Sequence, residues 1–228
     1  MRPYAADPLL ALLGGNTTRS TGPIVLDCCV IGRVAQERVK FRSGARPGDL
    51  VCVAGELGAS GGGLKLLLEG VAPRSLKEVK LIEAHKRPRP QLREGQWLGG
   101  NGAVHAMIDL SDGLAGDLRR MAACSQVGFE IDLEAIPISD DLRGVSTERG
   151  WDPLALALSG GEDYVLLLTV DSGQFADLQA AFLKELSGRL FPIGCVTADR
   201  GEIRFLQAGE PTPLLLSGFD HFKRGTVS

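Results

Sequence analysis

AMIDLSDGLAGDL at residues 106–118, read with LSGGEDY at 158–164, decides how this chain is understood. An apolar strand, AVHAMIDL (103–110), runs into an amphipathic helix, LAGDLRRMAAC (114–124), whose Leu114, Leu118 and Met121 recur at helical spacing. Asp109 and Asp112 sit on the turn between them. The second stretch places Glu162 and Asp163 after a Gly-Gly pair and around the start of another apolar strand, YVLLLTV (164–170). Acidic side chains at strand ends beside small residues suit Mg²⁺ and a phosphorylated ligand. Mg²⁺ takes hard oxygen ligands and holds phosphates through only one or two carboxylates.

Working outward, PIVLDCCVIGRV (23–34) reads as one long strand, opened by Pro23 and rich in β-branched residues. The turn ARPGD (45–49) leads into a short strand, LVCVAG (50–55). GASGGGLKLLLE (58–69) begins Gly-rich and ends in a helical run of Leu64, Leu67 and Leu68. A further helix covers about 75–86, and KRPRP (86–90) ends it, because proline cannot continue a helix. That segment is the best candidate for an internal linker. GFEIDLE (128–134) alternates as a strand, and 172–187 reads as a helix with a stripe of Phe175, Leu178, Phe182 and Leu186. FPIGCVTA (191–198) and EIRFLQ (202–207) read as a closing pair of strands. Strands and helices mixed without a strict βαβ rhythm predict an α+β fold.

Composition narrows the function. With 228 residues, 44% hydrophobic and 23% charged, the chain has the make-up of a soluble globular protein of one large or two small domains. A net charge of −3 leaves no basic footprint for nucleic acid, and 5% aromatics is poor material for base stacking. No apolar run approaches the ~18 residues of a membrane helix. MRPYAADPLLALLGG at the N-terminus lacks the pattern of a signal peptide, so the cytoplasm is the expected location. The five cysteines, Cys28, Cys29, Cys52, Cys124 and Cys195, form no C-x-x-C pair and are expected as reduced core residues. His85, His105 and His221 are too scattered for a zinc site and receive no catalytic role.

Taken singly, each motif also has a plainer reading. Asp109-Leu110-Ser111-Asp112-Gly113 could face one metal at a helix N-terminus that favours phosphate, or be an ordinary N-cap and turn. Gly160-Gly161 could let backbone approach a ligand, bringing Glu162 to a cation or a polar group, or be a solvated turn. Leu13-Gly14-Gly15-Asn16-Thr17-Thr18-Arg19 could cradle phosphate through backbone N–H groups or be a loose loop. It is no Walker A loop, and GASGGG fails the dinucleotide fingerprint. Arg42, in RSGA, could pair with phosphate or be a surface arginine.

Their order is more specific. GGNTTRSTGPIVLDCCVIG, RSGARPGDLVCVAGELG, AMIDLSDGLAGDL, LSGGEDYVLLLTV and the closing GFDHF together resemble thiamine-monophosphate kinase, within the aminoimidazole-ribonucleotide-synthetase-like superfamily, over about residues 8–222. The pairing of IDLSDGL with SGGEDY marks this kinase among relatives that include selenophosphate synthetase and a hydrogenase-maturation protein. The resemblance implies ATP-dependent phosphorylation of thiamine monophosphate to the diphosphate, with Mg²⁺, in a homodimer. It implies Asp109 and Asp112 as Mg²⁺ ligands, Ser111, Arg42 and Gly15 as ATP contacts, Glu162 as a thiamine-phosphate contact, and Phe219 as the aromatic residue packing on the substrate. It also implies a complete C-terminal domain (39–228) behind a remnant of an N-terminal ATP-binding domain (1–38), whose last strand is 24–34.

The chain departs from the family twice. The family's GGDTT reads GGNTT, so Asn16 stands where a Mg²⁺-binding Asp is expected; it can still offer a carbonyl oxygen to the metal but brings no charge. The family's acidic GDDAA segment, its VHF segment and its NLSDLAAMGA helix should precede Met1 and are not in the sequence. These departures carry two expectations: weak or absent turnover by the chain alone, and self-association through the 24–34 strand. They also keep two other readings open, a non-catalytic partner-binding paralogue and another ATP-dependent superfamily member akin to selenophosphate synthetase.

Overall fold

The computed structural model describes residues 11, 13–70 and 72–213. They fall into two units, Met1–Val34 and Ala35–Ser228.

In the first unit the described residues carry no helix or strand. The strand expected over 23–34 is therefore not formed. A strand is a ladder of hydrogen bonds to a neighbour, and no described residue pairs with this segment. Ile24, Val25, Leu26, Val30, Ile31 and Val34 are all exposed.

The second unit is built on a seven-stranded sheet in the order β2-β4-β1-β5-β3-β6-β7. The strands are β1 (Leu50–Val53), β2 (Val104–Asp109), β3 (Gly128–Asp132), β4 (Leu166–Val170), β5 (Phe191–Thr197), β6 (Ile203–Gln207) and β7 (Glu210–Pro211). All neighbours are antiparallel except β3 and β6. The α+β expectation holds. β5 and β6, expected as a closing pair, instead flank β3 on either side.

Helices cover both faces of the sheet. On one face, α1 (Ala59–Leu68), α2 (Leu76–Lys86), α4 (Leu114–Ser125), α5 (Asp140–Arg149) and α6 (Pro153–Ser159) close a core with Val51, Val53, Phe129, Ile131 and Leu167. On the other, α3 (Leu92–Gly99) and α7 (Phe175–Leu186) pack on Cys52, Val104, Leu168 and Val170. The alternation of Val51 and Val53 against Cys52 is the two-residue strand period with both faces buried. In α4 the predicted Leu114, Leu118 and Met121 are all buried. The stripe predicted for α7 also packs inward.

Sequence periodicity misreads three places. KRPRP links α2 to α3 inside one unit and is no domain linker. In α1 the buried face is Ser60, Gly62, Gly63 and Leu66, while Leu64 and Leu68 are exposed. The glycines make this possible: a Cβ on Gly63 would stand 2.0 Å from the Leu81 carbonyl oxygen of α2. The cysteines are not uniformly core residues. Cys52 is buried and Cys195 half-buried, but Cys124 on the outer side of α4 is exposed, as are Cys28 and Cys29, which lack a sheet to bury them.

Candidate active site

The turn after β2 and the loop after α6 are fastened together through their backbones. Glu162 N–H donates to the Ser111 carbonyl at 2.9 Å, Tyr164 N–H donates to Leu110 at 2.9 Å, and Leu110 N–H donates to Val165 at 2.8 Å. Glycine makes the approach possible. A Cβ on Gly161 would lie 2.6 Å from the Ser111 carbonyl oxygen, and one on Gly113 would lie 3.0 Å from the Ser159 carbonyl carbon. Gly113 also has φ +91°, a conformation open to glycine. The loop bends sharply enough to hold Glu162 at φ 66° and Tyr164 at φ 51°, values uncommon for residues with a side chain. Strained backbone of this kind gathers at functional sites.

Around this junction the carboxylates divide by role. Asp109, the last residue of β2, is exposed, and Asp112 is partly buried. Glu162 is half exposed, with one carboxylate oxygen 3.5 Å from Nδ1 of His85, which also lies 3.0 Å from the Ser60 hydroxyl. Burial pushes the Tyr164 phenol above its ordinary range, and the charges of Glu162, Asp109 and Asp112 push it the same way. The expected metal ligands and the expected substrate contact thus share one electrostatic environment.

Two other acids support the site from below. Asp117, fully buried in the first turn of α4, accepts the N–H groups of Ser111 and Asp112 at 3.2 Å each and so fixes the turn. Burial raises its carboxyl, against the lowering effect of the Asp112 N–H bond and of Arg120. Asp163 reaches across to the start of α1 and accepts from Gly58 N–H at 2.7 Å and Ser60 N–H at 3.0 Å. Burial pushes it up to about 6.

Sequence reading missed Asp117, Arg120, His85 and the capping role of Asp163. Only the first two left a local signal, an acid in the first turn with an arginine three residues on. His85 reaches Glu162 through tertiary packing alone.

The remaining expected residues lie elsewhere. Arg42 is exposed and its carbonyl is held by the Ser125 hydroxyl at 2.8 Å, at the far end of α4 from Asp112. Gly15 and Asn16 are exposed residues of the first unit. Phe219 lies outside the described residues. A cavity of about 570 Å³ lined by Ala115, Arg119, Ile203, Arg204 and Phe205 contains none of the expected site residues.

Among the described residues no three His, Cys, Asp or Glu side chains form a metal site by themselves. Asp109 and Asp112 nevertheless fit Mg²⁺ in its usual mode, where one or two carboxylates supply hard oxygens and phosphates and water supply the rest.

This α+β unit, with an acidic turn ahead of a helix, is that of the AIR synthase related proteins, C-terminal domain; the family's model matches residues 46–207, and the chain belongs to it. Within that class the similarity is to thiamine-monophosphate kinases. The enzyme of that name from Escherichia coli K12 is 40% identical over 215 residues, covering 93% of this chain. The chain spans 64% of that relative's length. A solved structure described as AaThiL complexed with AMPPCP and TMP matches with 32% identity and TM-score 0.68, over 80% of this chain and 54% of that one. The thiamine-monophosphate kinase structure from Stenotrophomonas maltophilia K279a matches with 31% identity and TM-score 0.69, over 78% and 56%. These findings agree with the resemblance drawn from the motifs.

Proposed function

We propose that this chain takes part in the ATP-dependent phosphorylation of thiamine monophosphate to thiamine diphosphate. The observation that carries the reading is the backbone interlock of DLSDG with SGGED, which sets Asp109, Ser111, Asp112 and Glu162 around one junction. In this reading Asp109 and Asp112 hold Mg²⁺, Ser111 meets the nucleotide and Glu162 meets the thiamine phosphate. Gly15 and Arg42 contact ATP, Asn16 takes a metal-ligand position, and Phe219 packs on the substrate. Neutralising phosphate charge is the chemistry Mg²⁺ supplies when bound. The chain's own task is positioning. The N-terminus of α4 favours the phosphates, Asp117 keeps the acidic turn in place, and the Glu162 loop orients the acceptor phosphate. The same reading makes the protein a cytoplasmic homodimer; the exposed apolar side chains between Ile24 and Val34 support self-association.

A coupled assay for ADP release at saturating Mg²⁺ tests it. Release that depends on thiamine monophosphate and is lost in Asp112→Asn supports the reading. Release indifferent to thiamine monophosphate refutes it. Asn16 favours a second reading, a chain that binds nucleotide with little turnover, because an amide brings no charge to the metal site. Nucleotide binding without ADP release would select it.

A further inference from the structure

Arg120 stands outside everything the motifs imply. Its guanidinium pairs with two carboxylates at once, with Asp112 on the acidic turn and with Asp117 at 2.7 Å. The two acids are not equivalent. Asp117 is 0% exposed, and its second oxygen is filled by the N–H groups of Ser111 and Asp112. It has no oxygen left for another cation and acts as the fixed anchor. Asp112, 16% exposed, sits at the rim. Asp109 has no ion-pair partner among the described residues. Arg120 is itself 45% exposed, so its long stem has room to turn.

Resting on the assignment of Asp112 as a metal ligand, we propose that Arg120 is a built-in counter-cation that competes with the metal for Asp112 and thereby sets the affinity of the site. Without metal it neutralises Asp112, so the turn does not carry uncompensated charge beside Glu162 and Asp109. When a divalent ion binds, the guanidinium withdraws onto Asp117. A resident positive charge disfavours a bare divalent cation more than one arriving with phosphates, whose negative charge meets the guanidinium favourably. Arg120 therefore biases the site toward the metal–nucleotide complex over free metal. In this role it is a specificity-determining residue and need not touch the reacting atoms.

The test uses Mn²⁺, which takes the same oxygen ligands as Mg²⁺ and is counted by electron paramagnetic resonance of the free ion. Asp117→Asn/Arg120→Gln removes one charge of each sign and leaves hydrogen-bonding groups in place. It should bind free Mn²⁺ up to about fivefold more tightly than wild type, the range expected for releasing a partly exposed ion pair. The gain should shrink when a non-hydrolysable ATP analogue is present. Arg120→Gln alone should shift affinity in the same direction, and Arg120→Lys, which keeps the charge, should shift it least; thermal melting establishes that each variant is folded. Unchanged or weaker Mn²⁺ binding in the glutamine variants overturns the role of Arg120. Asp112→Asn separates the two ideas. If it weakens Mn²⁺ binding while the glutamine variants do not strengthen it, the Arg120 proposal fails alone. If it leaves Mn²⁺ binding intact, the metal-ligand assignment fails and the proposal with it.

Discussion

Replacing Asp163 by Asn should remove a pH dependence that the native carboxyl imposes on folding. Two effects oppose each other at this residue. Burial favours the neutral acid, whereas the N–H groups of Gly58 and Ser60, at 2.7 and 3.0 Å, favour the carboxylate. Burial wins and lifts the carboxyl from 3.8 to about 6. Between those values the folded chain keeps a proton that the unfolded chain has released. Stability then falls as pH rises, because the unfolded state binds fewer protons there. A shift of about two units corresponds to about 3 kcal/mol. The asparagine variant keeps an acceptor for the start of α1 and has nothing to titrate. Its stability relative to wild type should climb by about 3 kcal/mol from below pH 4 to above pH 6. Urea unfolding of both proteins at pH 4, 5, 6 and 7 measures the difference, in which other titrating groups cancel. A variant stability, relative to wild type, that stays constant or falls with rising pH would refute the reasoning. The latter result would mean that the two capping bonds outweigh burial.

Three further outcomes are expected. Gly63→Ala should disrupt the α1–α2 contact, since the added Cβ would meet the Leu81 carbonyl oxygen at 2.0 Å; a loss of about 3 kcal/mol in chemical denaturation is expected, at the upper end of overpacking costs, and a loss below about 1 kcal/mol would show that the helices separate easily. Arg149→Met should strand Glu78, which is 2% exposed and held below its ordinary range first by the Arg74 N–H and then by Arg149. The cost should be about 3 kcal/mol near neutral pH and should shrink as pH falls through the lowered Glu78 value, because protonation removes the charge that needs a partner. Ellman's reagent at pH 8 should titrate the exposed Cys28, Cys29 and Cys124 quickly, Cys195 slowly, and Cys52 only after denaturation, burial having pushed that thiol up to about 12; rapid reaction of all five in the native protein would contradict the packing of β1.

What the sequence made legible follows from how local each signal is. The strand-turn-helix of 104–125 and the α7 stripe were readable because their apolar spacing matches the period of the element they form. The helix α3 was missed, with two glycines in its eight residues and no side-chain cap, and so were α5 and α6. α5 buries only Leu142, Val145 and Ser146 in ten residues, and α6 is a seven-residue helix, short for a reliable period. Their caps were present in the sequence: Ser139 accepts from Leu142 N–H, and Asp152 accepts from Leu154 and Ala155, with Pro153 at the first helical position. The strand expected at 23–34 failed for the opposite reason. Its composition suits a sheet, but pairing needs a neighbour that composition cannot supply. At the candidate site, the motifs singled out Asp109, Ser111, Asp112 and Glu162, and the fold brings their backbones to one junction. Of the groups that hold them, Asp117 is local, five and six residues from the N–H groups it accepts, and was overlooked, whereas Asp163 bonds to residues more than a hundred positions away and left nothing local to read.

That long reach explains why small residues crowd these motifs. Gly160 and Gly161 each face backbone: a Cβ on the first would approach the Leu156 carbonyl oxygen at 2.3 Å, and one on the second the Ser111 carbonyl oxygen at 2.6 Å. Gly61 lies against Gly160 across the same seam, its own Cβ position 3.1 Å from the Gly160 Cα. Three glycine-bearing segments, GASGGG, DLSDG and LSGGED, therefore meet with little room for intervening side chains. The consequence is mechanical. Asp109, Asp112 and Glu162 project from backbones fixed directly to one another, so the spacing of their main-chain positions is set without intervening side chains. Asp163 ties this junction to α1, and Asp117 ties it to α4. The proposed metal site would gain from that rigidity, because a first shell is placed accurately only when the backbone and groups behind it are fixed.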